Sequence, residues 1–292
     1  NDFGDTHSLA LIMDSLSVMN VLAKLDPSTD SAKLAGLFKA ASHFKSDIDD
    51  GGQGQCEGDV LENIVDALGK TFGLYKGTYN GTSWKEMAPK LEGNTWADIA
   101  DRETLHANLA LINTFISDNE LAGKVTVTLS SADLANSARD EFSSFLALHN
   151  LTPFVLKGQD PAALNALLGQ QEGLSGLYEK WSDDQELTVA QRASGEANFS
   201  DEYLTDRAAM LSWLVTGNTQ NAPTVGAMTT IDPEGRGIAE IWRFSDLESG
   251  RKINVTPASA TTEHDVVFGS KQDDHIEGGF DTDRLYGGAG ND

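Results

Sequence analysis

Four aspartates near the end of the printed sequence recur every nine residues: Asp265, Asp274, Asp283 and Asp292. Glycines precede the last three of them within each nine-residue unit. Carboxylate and backbone carbonyl oxygens are the ligands that calcium prefers in proteins. Glycine permits backbone conformations in which several carbonyls face one centre. The pattern therefore predicts calcium binding as the chemistry of this segment.

The spacing also predicts how the repeats pack. Each repeat is expected to form a glycine-rich turn and a short strand, and two repeats form one coil of a parallel β-roll. Turns that lie two repeats apart then stack, so Asp274 and Asp292 share one calcium ion. Asp265 and Asp283 form a second, weaker site, because the turn before Asp265 lacks the glycines. The apolar residues expected to face inward between the two sheets of the roll are Val267, Ile276 and Leu285. The residues predicted to form the calcium sites are Asp265, Gly269, Lys271, Asp274, Gly278, Phe280, Asp283, Gly288, Gly290 and Asp292.

The segment from Gly278 to Tyr286 follows the repeat G-G-x-G-x-D-x-U-x, with Asp281 in place of the third glycine. The segment from Gly287 to Asp292 matches the first six positions of the repeat. Residues 265–292 thus resemble the calcium-binding repeats of RTX proteins. The resemblance implies type I secretion from a Gram-negative bacterium, an extracellular location, and folding that calcium triggers after export.

The charge balance restricts the partners. The chain has 292 residues, with 45 acidic and 21 basic ones, and a formal net charge of −24. This surplus of acidic residues argues against nucleic acid and against an anionic membrane surface, since both attract basic proteins. Apolar residues make up 39% of the chain, which suffices for a buried core. No apolar run reaches the roughly 18 residues that a membrane span needs, so we expect no transmembrane segment.

A second acidic segment begins like an EF-hand loop at Asp47 and places Gly52 at the sixth position. Its twelfth position is Gly58, where an EF-hand has a glutamate. The sequence therefore favours a solvated loop over an EF-hand.

Hydrophobic periodicity predicts an α+β fold with a mainly α-helical body, a small β-hairpin module and the start of a parallel β-roll. The expected domains are residues 1–220, 221–262 and 263–292. A short strand is predicted at Lys124–Leu129 and a hairpin from Ile238–Phe244 and Arg251–Val255. The predicted helices are Ser8–Leu25, Ser31–Phe44, Glu57–Phe72, Thr104–Ile116, Ala132–Leu148, one from Pro161 to about Trp181, and one that begins near Asp201.

One histidine has a possible catalytic role. Asp5-Thr6-His7-Ser8 comes just before the first predicted helix. This resembles the region that follows the lipase-like α/β-hydrolase domain of many large RTX proteins, in which a His-Ser pair precedes such a helix. The resemblance implies that His7 is the general base of a triad whose other members lie upstream of Asn1. The alternative is that His7 and Ser8 cap the helix.

Three functions remain open at this stage. The leading hypothesis is a calcium-binding fragment of a type I secreted RTX protein, which links an upstream effector to calcium-folded repeats. The first alternative is the C-terminal part of a secreted RTX lipase or phospholipase, with His7 catalytic. The second is an adhesin domain. The possible further partner is a lipid or a host-surface ligand, which would bind through the parent protein. We expect the fragment alone to lack catalytic activity, because no G-x-S-x-G or H-E-x-x-H motif occurs in it.

Overall fold

The computed structural model describes residues 3–41, 60–86, 99–128, 131–158, 161–168, 174–219, 241–248, 251–255 and 263–288. The predicted fold class is confirmed: a mainly helical body is followed by a hairpin and by strands of a parallel sheet. The helices of the described part are α1 Phe3–Leu25, α2 Ser31–Ala41, α3 Val60–Thr71, α4 Ile99–Asp118, α5 Ser131–Ser137, α6 Phe142–His149, α7 Pro161–Leu168, α8 Leu174–Gln185, α9 Val189–Ala193 and α10 Asp201–Thr219.

The strands form two small ladders and one larger sheet. The first two ladders are antiparallel pairs, β1 with β2 and β3 with β4. The larger sheet has the order β6-β5-β7-β8, in which β5 and β6 are antiparallel and the other two pairs are parallel. The strands are β1 Thr78–Tyr79, β2 Thr82–Ser83, β3 Val125–Val127, β4 Phe154–Leu156, β5 Ile241–Asp246, β6 Arg251–Val255, β7 Glu263–Phe268 and β8 Arg284–Tyr286.

Aromatic side chains fill much of the core. The rings of Phe72 on α3 and Phe115 on α4 lie 5.5 Å apart. Phe142 on α6 contacts the ring of Trp181 on α8 at 5.3 Å. The same cluster of buried residues extends to Phe268 on β7. The sheet therefore packs on the helical body and shares its core.

The helix predicted over Ala132–Leu148 is interrupted. Helix α5 ends at Ser137, and Glu141 has an extended backbone, with φ of −124°, before α6 begins. Between them, the Ala138 carbonyl accepts a hydrogen bond of 2.9 Å from the indole N–H of Trp181. A carbonyl inside a helix would accept a backbone N–H instead. The hydrogen bond from Trp181 to Ala138 thus competes with the local helical hydrogen bond. Hydrophobic periodicity alone does not reveal this competition.

Other predictions are confirmed with shifted ends. The strand predicted at Lys124–Leu129 is β3, and it pairs with β4, which the sequence analysis did not predict. The hairpin is β5 and β6. The single helix predicted from Pro161 to Trp181 is α7 and α8, with residues 169–173 outside the described part. The EF-hand-like loop at residues 47–58 also lies outside it. No helix in the described ranges has the length and apolar character needed to cross a bilayer.

Candidate calcium-binding site

The strands of the repeats stack at the expected interval. β7 and β8 are parallel, and Val266 pairs with Arg284, its counterpart two repeats later. The backbone N–H of Gly269 continues this ladder by donating to the Tyr286 carbonyl at 2.7 Å. Two nine-residue repeats therefore make one coil, and turns that lie two repeats apart come together at the strand ends.

At one end of the strands, the turn after Gly269 meets the turn after Gly287. A side chain at Gly269 would overlap the Gly287 carbonyl, and one at Gly288 would overlap the Ser270 carbonyl. Gly288 also has a φ of +91°, which glycine adopts without strain. Only glycine fits these positions, and the close approach brings backbone oxygens of both turns together.

Asp274 belongs to the turn that follows Gly269. Its carboxylate accepts hydrogen bonds from the backbone N–H of Ser270 at 2.5 Å and from the Ser270 hydroxyl at 2.9 Å. It therefore points back into its own turn. Its predicted partners Gly290 and Asp292 lie outside the described residues, so the shared site of Asp274 and Asp292 stays a prediction.

At the other end, Asp283 lies against the strand of the preceding coil. Its Oδ1 accepts the backbone N–H of Asp265 at 2.9 Å. Gly278 leaves room for this carboxylate, because a Cβ there would lie 2.8 Å from the Asp283 Cβ. Asp281 has a φ of +76° at the position where the repeat has glycine. The structure thus places Asp265, Gly278 and Asp283 next to one another, and their role as a second calcium site stays a prediction.

The electrostatics of this end suit a cation. Burial raises the pKa of Asp265, and the negative charges of Asp283 and Glu263 raise it further, against the opposing effect of Arg243. The negative charges of Asp265 and Asp283 repel each other, and a bound divalent cation would relieve that repulsion. The available donors are oxygens, which is the donor type that fits calcium.

Two predicted site residues are described but have exposed side chains. Phe280 is 93% exposed, and the Lys271 side chain is also exposed. Neither side chain can serve as an oxygen ligand, so these residues would contribute only a backbone carbonyl. Lys271 also donates its backbone N–H to Glu248 at 3.1 Å, which connects the turn to the hairpin. In the described ranges, no group of three or more His, Cys, Asp or Glu side chains is placed to hold a metal.

The expectation that Val267, Ile276 and Leu285 face inward between two sheets stays a prediction, because the described residues include only one sheet of the roll. Leu285 is 45% exposed and Val267 is only partly buried, whereas Val266 and Phe268 are buried. Val266 and Phe268 lie on the face of the sheet that packs on the helical body, and Val267 and Leu285 lie on the opposite face. Ile276 is not in a strand, and the segment two repeats before it lies outside the described part of the chain. Among the described residues, the face with Leu285 consequently lacks the second sheet that would cover it.

Helix α10 makes the contact with the repeats. Asp206 forms an ion pair of 2.5 Å with Arg284 and accepts a hydrogen bond of 2.7 Å from the Tyr286 hydroxyl. Arg207, which is 1% exposed, forms an ion pair of 2.6 Å with Asp246 at the end of β5. These residues were not predicted from the sequence.

The repeats themselves contain a signal for this contact. In each repeat, consider the residues one and three positions after the aspartate. Their size and polarity alternate from one repeat to the next. Those of the first and third repeats are Val266, Phe268, Arg284 and Tyr286, and those of the second are His275 and Glu277. Large or apolar residues in every second repeat indicate that one of the two sheets has a covered outer face.

A partly buried histidine lies beside the same contact. His149 approaches the Tyr203 hydroxyl at 3.3 Å, and its carbonyl accepts a hydrogen bond from Arg207. Burial lowers the pKa of His149 to about 4, and the nearby Arg207 charge acts in the same direction, against Asp246. His149 is therefore neutral near pH 7.

The predicted catalytic residue His7 lies inside α1, which begins at Phe3. The alternative that His7 and Ser8 cap this helix is therefore wrong. The side chain of His7 is outside the described part of the structure, so a catalytic role stays a prediction.

Residues 259–292 match the family model of the RTX calcium-binding nonapeptide repeat, in four copies. No curated protein and no solved structure matches the chain. The match agrees with the stacking of every second repeat and with the glycine-lined turns. RTX repeats bind calcium and are typical of secreted proteins. Residues 259–292 therefore form a region of RTX-type calcium-binding nonapeptide repeats.

Proposed function

We propose that this chain is the part of a secreted RTX protein in which calcium-folded repeats join a helical body. The observation that carries the proposal is the contact between one face of the repeat strands and α10, next to turns that stack at an interval of two repeats. The helical body thereby supports the first coil. In the parent protein it links the repeats to an effector.

Charge supports folding that depends on calcium. Residues 263–292 contain eight acidic and two basic residues. Without a cation these carboxylates repel each other, so binding and folding of the coil are coupled. Extracellular calcium-binding modules have dissociation constants of about 10⁻⁴ to 10⁻³ M. Such affinities leave the repeats unfolded in a cell and folded outside it, which supports an extracellular location reached by type I secretion.

Calorimetry with the chain of residues 1–292 tests the proposal. We expect calcium to bind with release of protons or heat and to increase the folded content measured by circular dichroism. Asp274→Ala with Asp292→Ala should remove one class of site. Asp265→Ala with Asp283→Ala should remove the weaker one.

The matched control removes two charges from the helical body. Asp140 and Asp183 are both exposed, and replacing both with alanine should leave calcium binding unchanged. Failure of the unmodified chain to bind calcium would overturn the proposal. Equal binding by the Asp274/Asp292 variant and the unmodified chain would overturn the assignment of that site.

A second proposal concerns α1. We propose that the parent protein carries a lipase-like hydrolase before this chain, with His7 as its triad base and a lipid or a host-surface ligand as its partner. The observation that favours it is a row of exposed apolar side chains on α1, in which Ile12, Met13 and Leu16 are 52%, 62% and 57% exposed. Such a row suits contact with an adjoining domain.

The parent sequence and one variant test this second proposal. A G-x-S-x-G motif should lie within about 250 residues before Asn1, the size of one domain. In the longer protein, His7→Ala should abolish ester hydrolysis, while His43→Ala should leave it intact. Absence of the motif, or full activity of His7→Ala, would overturn the proposal.

A further inference from the structure

We propose that Asp206 is a positioning residue for calcium binding by the repeats, although it belongs to the helical body. This inference rests on the proposed function, because it concerns the same calcium-dependent coil. Asp206 comes well before the first repeat in the sequence, and it is 4% exposed. It would act through two residues of β8 rather than as a ligand.

Asp206 contacts β8 through both of its carboxylate oxygens. One carboxylate oxygen pairs with the Arg284 guanidinium at 2.5 Å, and the other accepts the Tyr286 hydroxyl at 2.7 Å. Glu202, one turn earlier on α10, lies 3.5 Å from Arg284. Two oxygens of one carboxylate thus hold two alternate residues of a short strand.

Both ends of β8 contact the glycine-rich turns of the repeats. Arg284 follows Asp283, whose carboxylate accepts the N–H of Asp265 at 2.9 Å. At the other end of β8, the Tyr286 carbonyl accepts the N–H of Gly269 at 2.7 Å, next to the crowded glycines of that turn. Asp206 therefore fixes the strand whose two ends enter the two predicted calcium sites.

Aromatic packing strengthens the same contact. The Tyr286 ring is 5.3 Å from the Phe268 ring and 5.2 Å from the Tyr203 ring of α10. Phe268 comes just before Gly269, so both aromatic residues stand at the entrance to a turn. Contacts of this kind orient the backbone that follows them.

Docking of the coil on α10 and calcium binding are energetically linked. Calcium binding must order an acidic segment whose carboxylates repel each other, and the free-energy cost of this ordering reduces the observed affinity for calcium. A contact formed only when the coil is folded and docked adds its free energy to calcium binding. Asp206 makes two such contacts, and both are charge-assisted, which is the stronger class of hydrogen bond. Removing them should weaken calcium binding without altering any ligand.

Calcium titration of the full chain tests the inference. Asp206→Asn should weaken calcium binding about tenfold, which corresponds to about 1.4 kcal/mol. Tyr286→Phe removes one of the two contacts without a change of charge, and should weaken binding about threefold, or about 0.7 kcal/mol. Asp201→Asn is the matched control. It removes the same charge from the same helix, but Asp201 pairs with Arg139 at 3.0 Å on the helical body, so binding should change less than twofold.

A second measurement separates positioning from general stability. Thermal unfolding of the helical body in a calcium chelator should be the same for Asp206→Asn and the unmodified chain, because the coil is then unfolded and undocked. Calcium affinity equal to that of the unmodified chain in both Asp206→Asn and Tyr286→Phe would overturn the inference and leave the proposed function standing. A lower unfolding temperature in chelator would also overturn it, since Asp206 would then be purely structural. No calcium binding by the unmodified chain would overturn both.

Discussion

Replacing Arg207 with alanine should cost the protein a large part of its stability. The guanidinium is 1% exposed, and it pairs with Asp246, itself 5% exposed, at 2.6 Å. It also donates to the carbonyls of Leu148 and His149 and lies 4.6 Å from the Phe268 ring centre. One side chain therefore connects α6, α10, β5 and β7.

The magnitude follows from what the substitution leaves behind. Removing one partner of a buried ion pair costs about 3–5 kcal/mol, because the other charge stays buried without compensation. The lost contact with the Phe268 ring adds about 0.5–2 kcal/mol. Domains have unfolding free energies of about 5–15 kcal/mol. We therefore expect Arg207→Ala to lower the unfolding free energy by about 4 kcal/mol or more in saturating calcium.

Urea denaturation followed by circular dichroism measures this loss. Arg139→Ala is the control, because the Arg139–Asp201 pair has side chains that are 45% and 48% exposed and should contribute about 0–1 kcal/mol. Arg207→Met combined with Asp246→Leu should recover much of the loss, since it removes both buried charges. A loss below about 1 kcal/mol for Arg207→Ala would refute the reasoning, and so would a double variant less stable than the single one.

Three further predictions concern other sites. Gly278→Ala should weaken calcium binding in a titration, because its Cβ would lie 2.8 Å from the Asp283 Cβ, whereas Gly176→Ala, with open space around it, should leave binding unchanged. Burial and the neighbouring guanidinium lower the pKa of His149 from 6.5 to about 4, so stability should be fully present above pH 6.5 and fall by up to about 3 kcal/mol as the pH drops toward 4. Urea denaturation at several pH values should show this slope, and His149→Gln should flatten it. Thr188→Ala removes the capping box of α9 and should lower the unfolding free energy by about 1 kcal/mol in the same assay, a result that an unchanged midpoint would contradict.

Local patterns predicted much of this structure. The nine-residue register led to the parallel pairing of Val266 with Arg284, because a repeat of fixed length imposes a fixed offset between coils. The alternating residues of the hairpin and the acidic first turn of α10 likewise act within a few residues. Such signals are readable from sequence because the interactions behind them are local.

Contacts between distant residues were not predictable in the same way. Asp206 and Arg284 are 78 residues apart, and each has the appearance of a solvated charge in its own segment. At the break between α5 and α6, the Ala138 carbonyl accepts a hydrogen bond from Trp181, which is 43 residues farther along the chain. The repeat pattern predicts that Leu285 faces inward in a complete roll, but it gives no information on what covers the outer face. The helical body covers the outer face of the first sheet, where Val266 and Phe268 are buried, and this cover depends on residues far away in the sequence.

The antiparallel strand β6 determines at which edge of the sheet further parallel strands can be added. β6 covers the edge of β5, and its reversed orientation ends the parallel series on that side. Among the described strands, β8 alone presents a parallel edge that another coil could join. Addition of coils therefore proceeds away from β6, as in other solenoids that begin at a capping element. The hairpin forms one end of this sheet, so the register of β7 and β8 is set relative to the helical body.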